Sequence, residues 1–247
     1  MGDLNFNVSL PHIAPKWNLE QFAATVKDDE WKYFVISDHS ADEDVRAMGL
    51  EEKGARVHYV RNGSIAAAWN RGMRERLDFT IICSVSMRFT DGLIPVARQL
   101  IDGSVRCALG GISQHGWHLA LVKRVLTDKV GLFDENIRPA YLEDTDMMHR
   151  IALTRLEALS AQNKPETTKA DVYTGWMEEN LGRGIQVSAT RKGDGIARGS
   201  WKCLSCRDNE NAAYYALKWG ALPTREYYKH PFNDPNNKLS YWPEVPS

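Results

Sequence analysis

In the first half of the chain, short apolar runs alternate with stretches whose apolar residues recur every three or four positions. Runs of four to eight apolar residues bounded by turn formers predict strands, and the wider spacing predicts amphipathic helices. Strands are predicted at Asn5 to Leu10, Trp31 to Ile36, Arg56 to Val60, Phe79 to Cys83 and Val105 to Leu109. Helices are predicted at Trp17 to Val26, Asp42 to Leu50, Ser64 to Leu77 and Gly92 to Ile101. Asp42 and Asp44 supply the acidic first turn that favours a helix start, and Ser64 is a suitable N-cap. Strands separated by helices in this way imply parallel, right-handed βαβ units.

The second half follows a different pattern. His118 to Val125 and Glu143 to Leu159 read as helices, with a polar connection from Gln162 to Thr168. Asp171 to Asn180 is predicted to be helical, as is Asn209 to Trp219. Between them, residues 182–202 are rich in glycine and carry Arg183, Arg191, Lys192, Arg198 and Lys202, which predicts a mobile basic loop. From Pro231 onward the chain is expected to be irregular. The expected architecture is α/β: a mostly parallel, Rossmann-like sheet flanked by helices over residues 1–160. Residues 161–247 form an extension packed on it. In such sheets ligands bind beyond the carboxyl ends of the strands, which places Asp38, Asn62 and Ser84-Val85-Ser86 around one cleft.

Composition narrows the function classes. The 247 residues are 43% hydrophobic and 26% charged with a net charge of -1, so bulk positive charge does not drive nucleic-acid binding. No apolar run approaches the ~20 residues of a membrane span. The N-terminus lacks a basic segment followed by an apolar core, which predicts a cytoplasmic protein with reduced thiols. Position 6 is Phe where a myristoylation signal needs Ser or Thr. Cys203 and Cys206 form a lone CxxC without the second pair of a zinc ribbon.

The chemistry concentrates at Pro139-Ala140-Tyr141-Leu142-Glu143-Asp144-Thr145-Asp146. Three carboxylates within four positions repel, so one is expected to hold its proton or meet a cation. That is the profile of a general base or a metal site. An acidic first turn complementing the helix dipole gives the same pattern.

The run VGLFDENIRPAYLEDTDMMHRI (residues 130–151) resembles the segment of GT-A glycosyltransferases that ends in their Glu-Asp motif. The stretch RNGSIAAAWNRG (61–72) is similar to that family's Asn-Gly…Ala-x-Asn-x-Gly helix, and DFTIIC (78–83) to the strand leading into its donor site. The similarity runs in order over roughly residues 30 to 150. The tail, Tyr214 to Gly220 and then Pro231-Phe232-Asn233, looks like the ending of a subgroup found in phage and bacterial genomes.

The resemblance implies an inverting, nucleotide-sugar-dependent hexosyl- or pentosyltransferase. Asp144 would be the catalytic base, Glu143 would hold acceptor or sugar hydroxyls, and Asp146 would orient the base or bind metal. Donor contacts would come from Asp38, Arg61, Asn62, Gly63, Asn70, Ser84, Ser86 and Arg88. The last three fall where the family usually carries Asp-x-Asp. Serine at 86 is a poor ligand for Mg²⁺ or Mn²⁺, which leaves three readings. The diphosphate is neutralised by Arg88 or a basic loop residue, or a metal site is built from the carboxylates with His149 or His230, or the site is a non-catalytic binding module. His115, Trp117 and His118 would face sugar or acceptor, although an aromatic there serves equally as core. The donor is expected to be UDP-linked. The acceptor is a protein, a glycan or a hydroxymethylated pyrimidine in phage DNA, the last within a host cytoplasm. The basic loop leans toward DNA, because phosphates require cationic contacts.

Overall fold

The computed structural model describes residues 5–12, 16–40, 43–60, 63–104, 111–114, 118–138, 140–160, 185–187 and 204–237. The predictions at Val105 to Leu109, at Asp171 to Asn180 and for most of the 182–202 loop lie outside these residues, as do Cys107 and Cys203.

Four strands run parallel: β1 (Phe6–His12), β2 (Phe34–Asp38), β3 (Arg56–Tyr59) and β4 (Phe79–Cys83). Beyond β4 lie β7 (Leu119–Lys123) and β6 (Gly111–Gln114), both antiparallel to their neighbours. The sheet order is β3-β2-β1-β4-β7-β6. Among the described residues this is a mostly parallel α/β, Rossmann-like fold, with strand order reversing at β1. A separate ribbon pairs β5 (Met87–Phe89) with β8 (Ile185–Val187), so a strand stands within the stretch expected to be loop.

Successive strand residues face opposite sides of a sheet, and here the two faces build two cores. Leu10, Ile36, Ile81, Cys83, Leu119 and Leu121 face helices α1 (Lys16–Ala23) and α4 (Leu93–Ser104). Ile82, Ala120 and Val122 face the opposite layer of α3 (Ile65–Arg74), α5 (Arg124–Val130) and α6 (Glu143–Ser160). Helix α2 (Asp44–Ala47) is a single turn after β2, and α7 (Leu204–Trp219) is the last α-helix among the described residues. Helix α3 lies close on β1, because Gly72 has no Cβ; one built there would meet the Ser9 Cβ at 2.7 Å.

Two expectations are corrected. Residues 119–123 form a strand, not a helix. Leu-Ala-Leu-Val suits either state, and the pairing of β7 with both β4 and β6 decides it. Trp31 to Tyr33 belongs to a 3-10 helix, Asp28–Tyr33, and the strand starts at Phe34. Glu30 explains that start: its buried carboxylate accepts from Lys27, Leu93 and Ile94 N–H groups, so it binds its own turn to the head of α4. Among the described residues no helix is long and apolar enough to cross a membrane.

Candidate active site

At the carboxyl ends of β1 and β2 the expected donor residues are held in local bonds. Asp38 is buried; Oδ1 accepts from Ser40 N–H and Oγ, and Oδ2 from Val45 N–H. Both oxygens therefore hold the β2–α2 turn together. His12 pairs through Nε2 with Asp44 at 2.9 Å. Ser64 caps α3 by accepting from Ala67 N–H at 3.1 Å. Gly63 lies against the ring of His39, so close that a Cβ would fall 1.9 Å from His39 Cε1. Both ring nitrogens of His39 are buried without a partner among the described residues. Burial, with Arg71 second, pushes its pKa down to about 4 against the opposing pull of Asp38. A neutral, unpaired imidazole in the cleft position is a residue the sequence reading missed. Arg61, Asn62, His115 and Trp117 lie outside the described residues.

Asn70 turns inward instead of toward the cleft. Its amide donates to Phe133 O and Glu135, and Phe133 N–H donates back to its Oδ1 at 2.9 Å. It clamps the 131–138 loop against α3, where Trp69 and Phe133 rings also meet.

Ser84, Ser86 and His118 do come together. Ser84 Oγ lies 2.9 Å from Ser86 Oγ, and Ser86 Oγ 3.3 Å from His118 Nδ1. Arg88 is directed elsewhere: it donates to the Val85 and Met87 carbonyls, to Asn18 and to Gln21. The donor set here is two hydroxyls and an imidazole. Hard divalent cations prefer carboxylate oxygens, so this set does not fit Mg²⁺ or Mn²⁺.

The carboxylate turn combines backbone strain with buried charge. Tyr141 and Leu142 have φ of 74° and 75°, the left-handed region, although neither is glycine. Bulky residues held there cost on the order of 1–3 kcal/mol each and collect at functional sites. Glu143 follows at once, buried, with Oε2 unpartnered among the described residues. Burial, then the neighbouring Asp144, pushes its pKa up to about 8; its own backbone N–H and that of Tyr141 oppose this only in part. Asp144 is half-buried; its Oδ1 accepts from Thr145 N–H at 2.7 Å and Thr145 Oγ1 at 3.3 Å. Among the described residues nothing donates to its Oδ2.

Asp146, expected to orient the base or bind metal, is placed differently. It is fully buried; Oδ1 accepts from Lys218 and from Trp219 Nε1, and Oδ2 from Arg150 at 2.9 Å. Burial would raise its pKa, but Lys218 and then Arg150 hold it down at about 2. His149 contacts Glu226 and the Trp219 ring. Among the described residues no three His, Cys, Asp or Glu side chains gather as a metal site, with His230 or otherwise. The cations around Asp146 are side chains from this chain.

Helix α7 reaches this region at three points. Lys218 also donates to Asp134 at 2.8 Å, where Tyr214 OH adds another 2.8 Å bond. Asn211 donates to the Ala140 carbonyl at 2.9 Å and the Tyr141 carbonyl at 3.4 Å, and accepts from Arg138 N–H.

No protein-family model matches the sequence, and no curated protein matches it. Among solved structures the chain is similar to a mannosyltransferase from Pyrobaculum calidifontis in complex with GDP-Man and Mn²⁺. The identity is 14% and the TM-score 0.46, over 60% of this chain and 52% of that one. It is also similar to S. aureus TarS 1-349 in complex with UDP, at 12% identity and TM-score 0.44 over 61% and 55% of the two chains. TarS 1-349 alone gives 11%, 0.42, 58% and 54%. The chain spans about half the length of the structures it matches.

Proposed function

We propose that the chain transfers a glycosyl group from a nucleotide-activated sugar to a hydroxyl acceptor, with Asp144 as the base. Asp144 Oδ2 takes the proton of the acceptor hydroxyl. The acceptor oxygen then bonds to the anomeric carbon as the bond from that carbon to the diphosphate oxygen breaks. The nucleoside diphosphate leaves with the electron pair, and the anomeric configuration inverts. The observation that carries this reading is the strained turn at Tyr141 and Leu142, which sets an open Asp144 oxygen beside the buried Glu143 carboxyl. Environments that separate two neighbouring carboxyls assign them different roles. Glu143, neutral at pH 7, is suited to donate a hydrogen bond to a sugar or acceptor hydroxyl, and Asp144 to accept a proton.

The leaving diphosphate needs stabilising charge. Arg88 is engaged toward α1, so under this reading it does not supply that charge. Ser84, Ser86 and His118 offer hydroxyl and imidazole contacts instead. This donor set does not fit a hard cation. The resemblance favours a UDP-linked donor, and the acceptor class is open between a protein or glycan and a hydroxymethylated pyrimidine in DNA.

The test is a panel of UDP- and GDP-sugars with EDTA or Mn²⁺, scored by released nucleoside diphosphate with and without hydroxymethylated DNA. The expected result is release that survives EDTA and falls on the order of 100- to 10,000-fold in Asp144→Asn. Release that depends on the modified DNA would identify that acceptor. No release under any condition, with no nucleotide-sugar binding by calorimetry, would replace this reading with a non-catalytic module.

A further inference from the structure

Two consecutive non-glycine residues in the left-handed region carry backbone strain that surrounding contacts must offset. At Tyr141 and Leu142, α7 supplies such contacts on the far side of the turn. Asn211 is buried and uses its whole amide on this segment, donating to the Ala140 and Tyr141 carbonyls and accepting from Arg138 N–H at 3.2 Å. These are the residues immediately ahead of Glu143. One turn beyond Glu143, Lys218 and Trp219 of the same helix grip Asp146. The carboxyl pair is therefore bracketed on both sides by one helix from the other end of the chain.

We propose that Asn211 is a positioning residue, which fixes the left-handed turn so that Glu143 is kept buried and Asp144 Oδ2 open. This rests on the reading of Glu143 and Asp144 as the working carboxyls. Asn211 touches neither of them and acts through the backbone of residues 138–141. A side chain that merely packs α7 on the core would change stability and leave the environment of Glu143 as it is.

The experiment is Asn211→Ala, read by the carboxyl ¹³C titration of glutamate-labelled protein, with the Glu143 signal assigned from Glu143→Gln. In the unaltered chain that signal is expected to titrate at about 8. In Asn211→Ala it is expected to fall by roughly one pH unit or more as water reaches the carboxyl. An unchanged midpoint in a folded variant overturns the proposal. If Asn211→Ala does not fold, the comparison is made in a Leu142→Gly background. Glycine takes the left-handed shape without strain, and the midpoints with and without Asn211 are compared there. A second readout is turnover: kcat is expected to fall on the order of 100-fold with donor KM unchanged, as a misplaced reacting group would cause. The titration decides the role of Asn211 whether or not a donor is found, and absent turnover in the unaltered chain counts only against the transferase reading.

Discussion

The mouth of the carboxylate turn and its root lie one helical turn apart, and they treat a buried carboxyl in opposite ways. At the root, Asp146 is surrounded by Lys218, Arg150 and Trp219, and its pKa sits at about 2. At the mouth, Glu143 is also buried, with Asp144 beside it and backbone N–H groups as its opposing partners, and its pKa rises to about 8. Burial disfavours both charges equally in kind, so the difference comes from the partners. A carboxylate given cations is part of the frame. A carboxyl left unmatched is available to a ligand.

The largest break in that comparison is Lys218→Met. It leaves Asp134 and Asp146 short of a cation in a closed interior, and removing one partner of a buried pair costs about 3–5 kcal/mol. Denaturant unfolding is the measurement, and a loss below ~1 kcal/mol would mean that Arg150 alone accounts for Asp146. Next is Glu143→Gln. A pKa raised from 4.5 to about 8 on folding gives stability that is complete below pH 4.5 and declines as pH rises to about 8. At ~1.4 kcal/mol per pH unit, that decline reaches roughly 3 kcal/mol by pH 7. The Gln variant is expected to lose this slope and to be the more stable protein at pH 8; parallel stability curves for the two would contradict the assignment. Asp144→Asn sharpens the contrast by removing the second cause of the Glu143 shift. The Glu143 midpoint should move down by roughly one pH unit, the smaller share beside burial. The smallest effect is Thr145→Ala, which removes one long hydroxyl bond to Asp144 and should change stability by about 0.5 kcal/mol or less.

The parallel half of the fold was legible because each βαβ unit is written locally. Ser64 before an apolar-periodic stretch, and Phe79 to Cys83 between polar residues, need no distant partner to be read. The start of α6 at Glu143 was legible for the same reason. What escaped the sequence is long-range. The direction of β7 depends on which strands flank it. The role of Asp146 depends on Lys218 and Trp219, 72 and 73 residues away. No local pattern marks Asn211 as the partner of a turn 70 residues earlier. Arg88 and Asn70 stand at motif positions that imply donor contact, while their side chains bond to α1 and to the 131–138 loop, partners that no local pattern marks. Left-handed Tyr141 and Leu142 are invisible in sequence, since their composition argues against that conformation.

The grip of α7 on the carboxylate turn also sets an order of events during synthesis. When the nascent chain has emerged only as far as residue 160, all six strands of the main sheet are already available. Asp134 and Asp146 have by then emerged, with Lys218 and Asn211 still to follow. At roughly 5–20 residues per second the ribosome needs several seconds more to supply them. The scaffold therefore precedes the candidate site, which is completed only once α7 has left the ribosome.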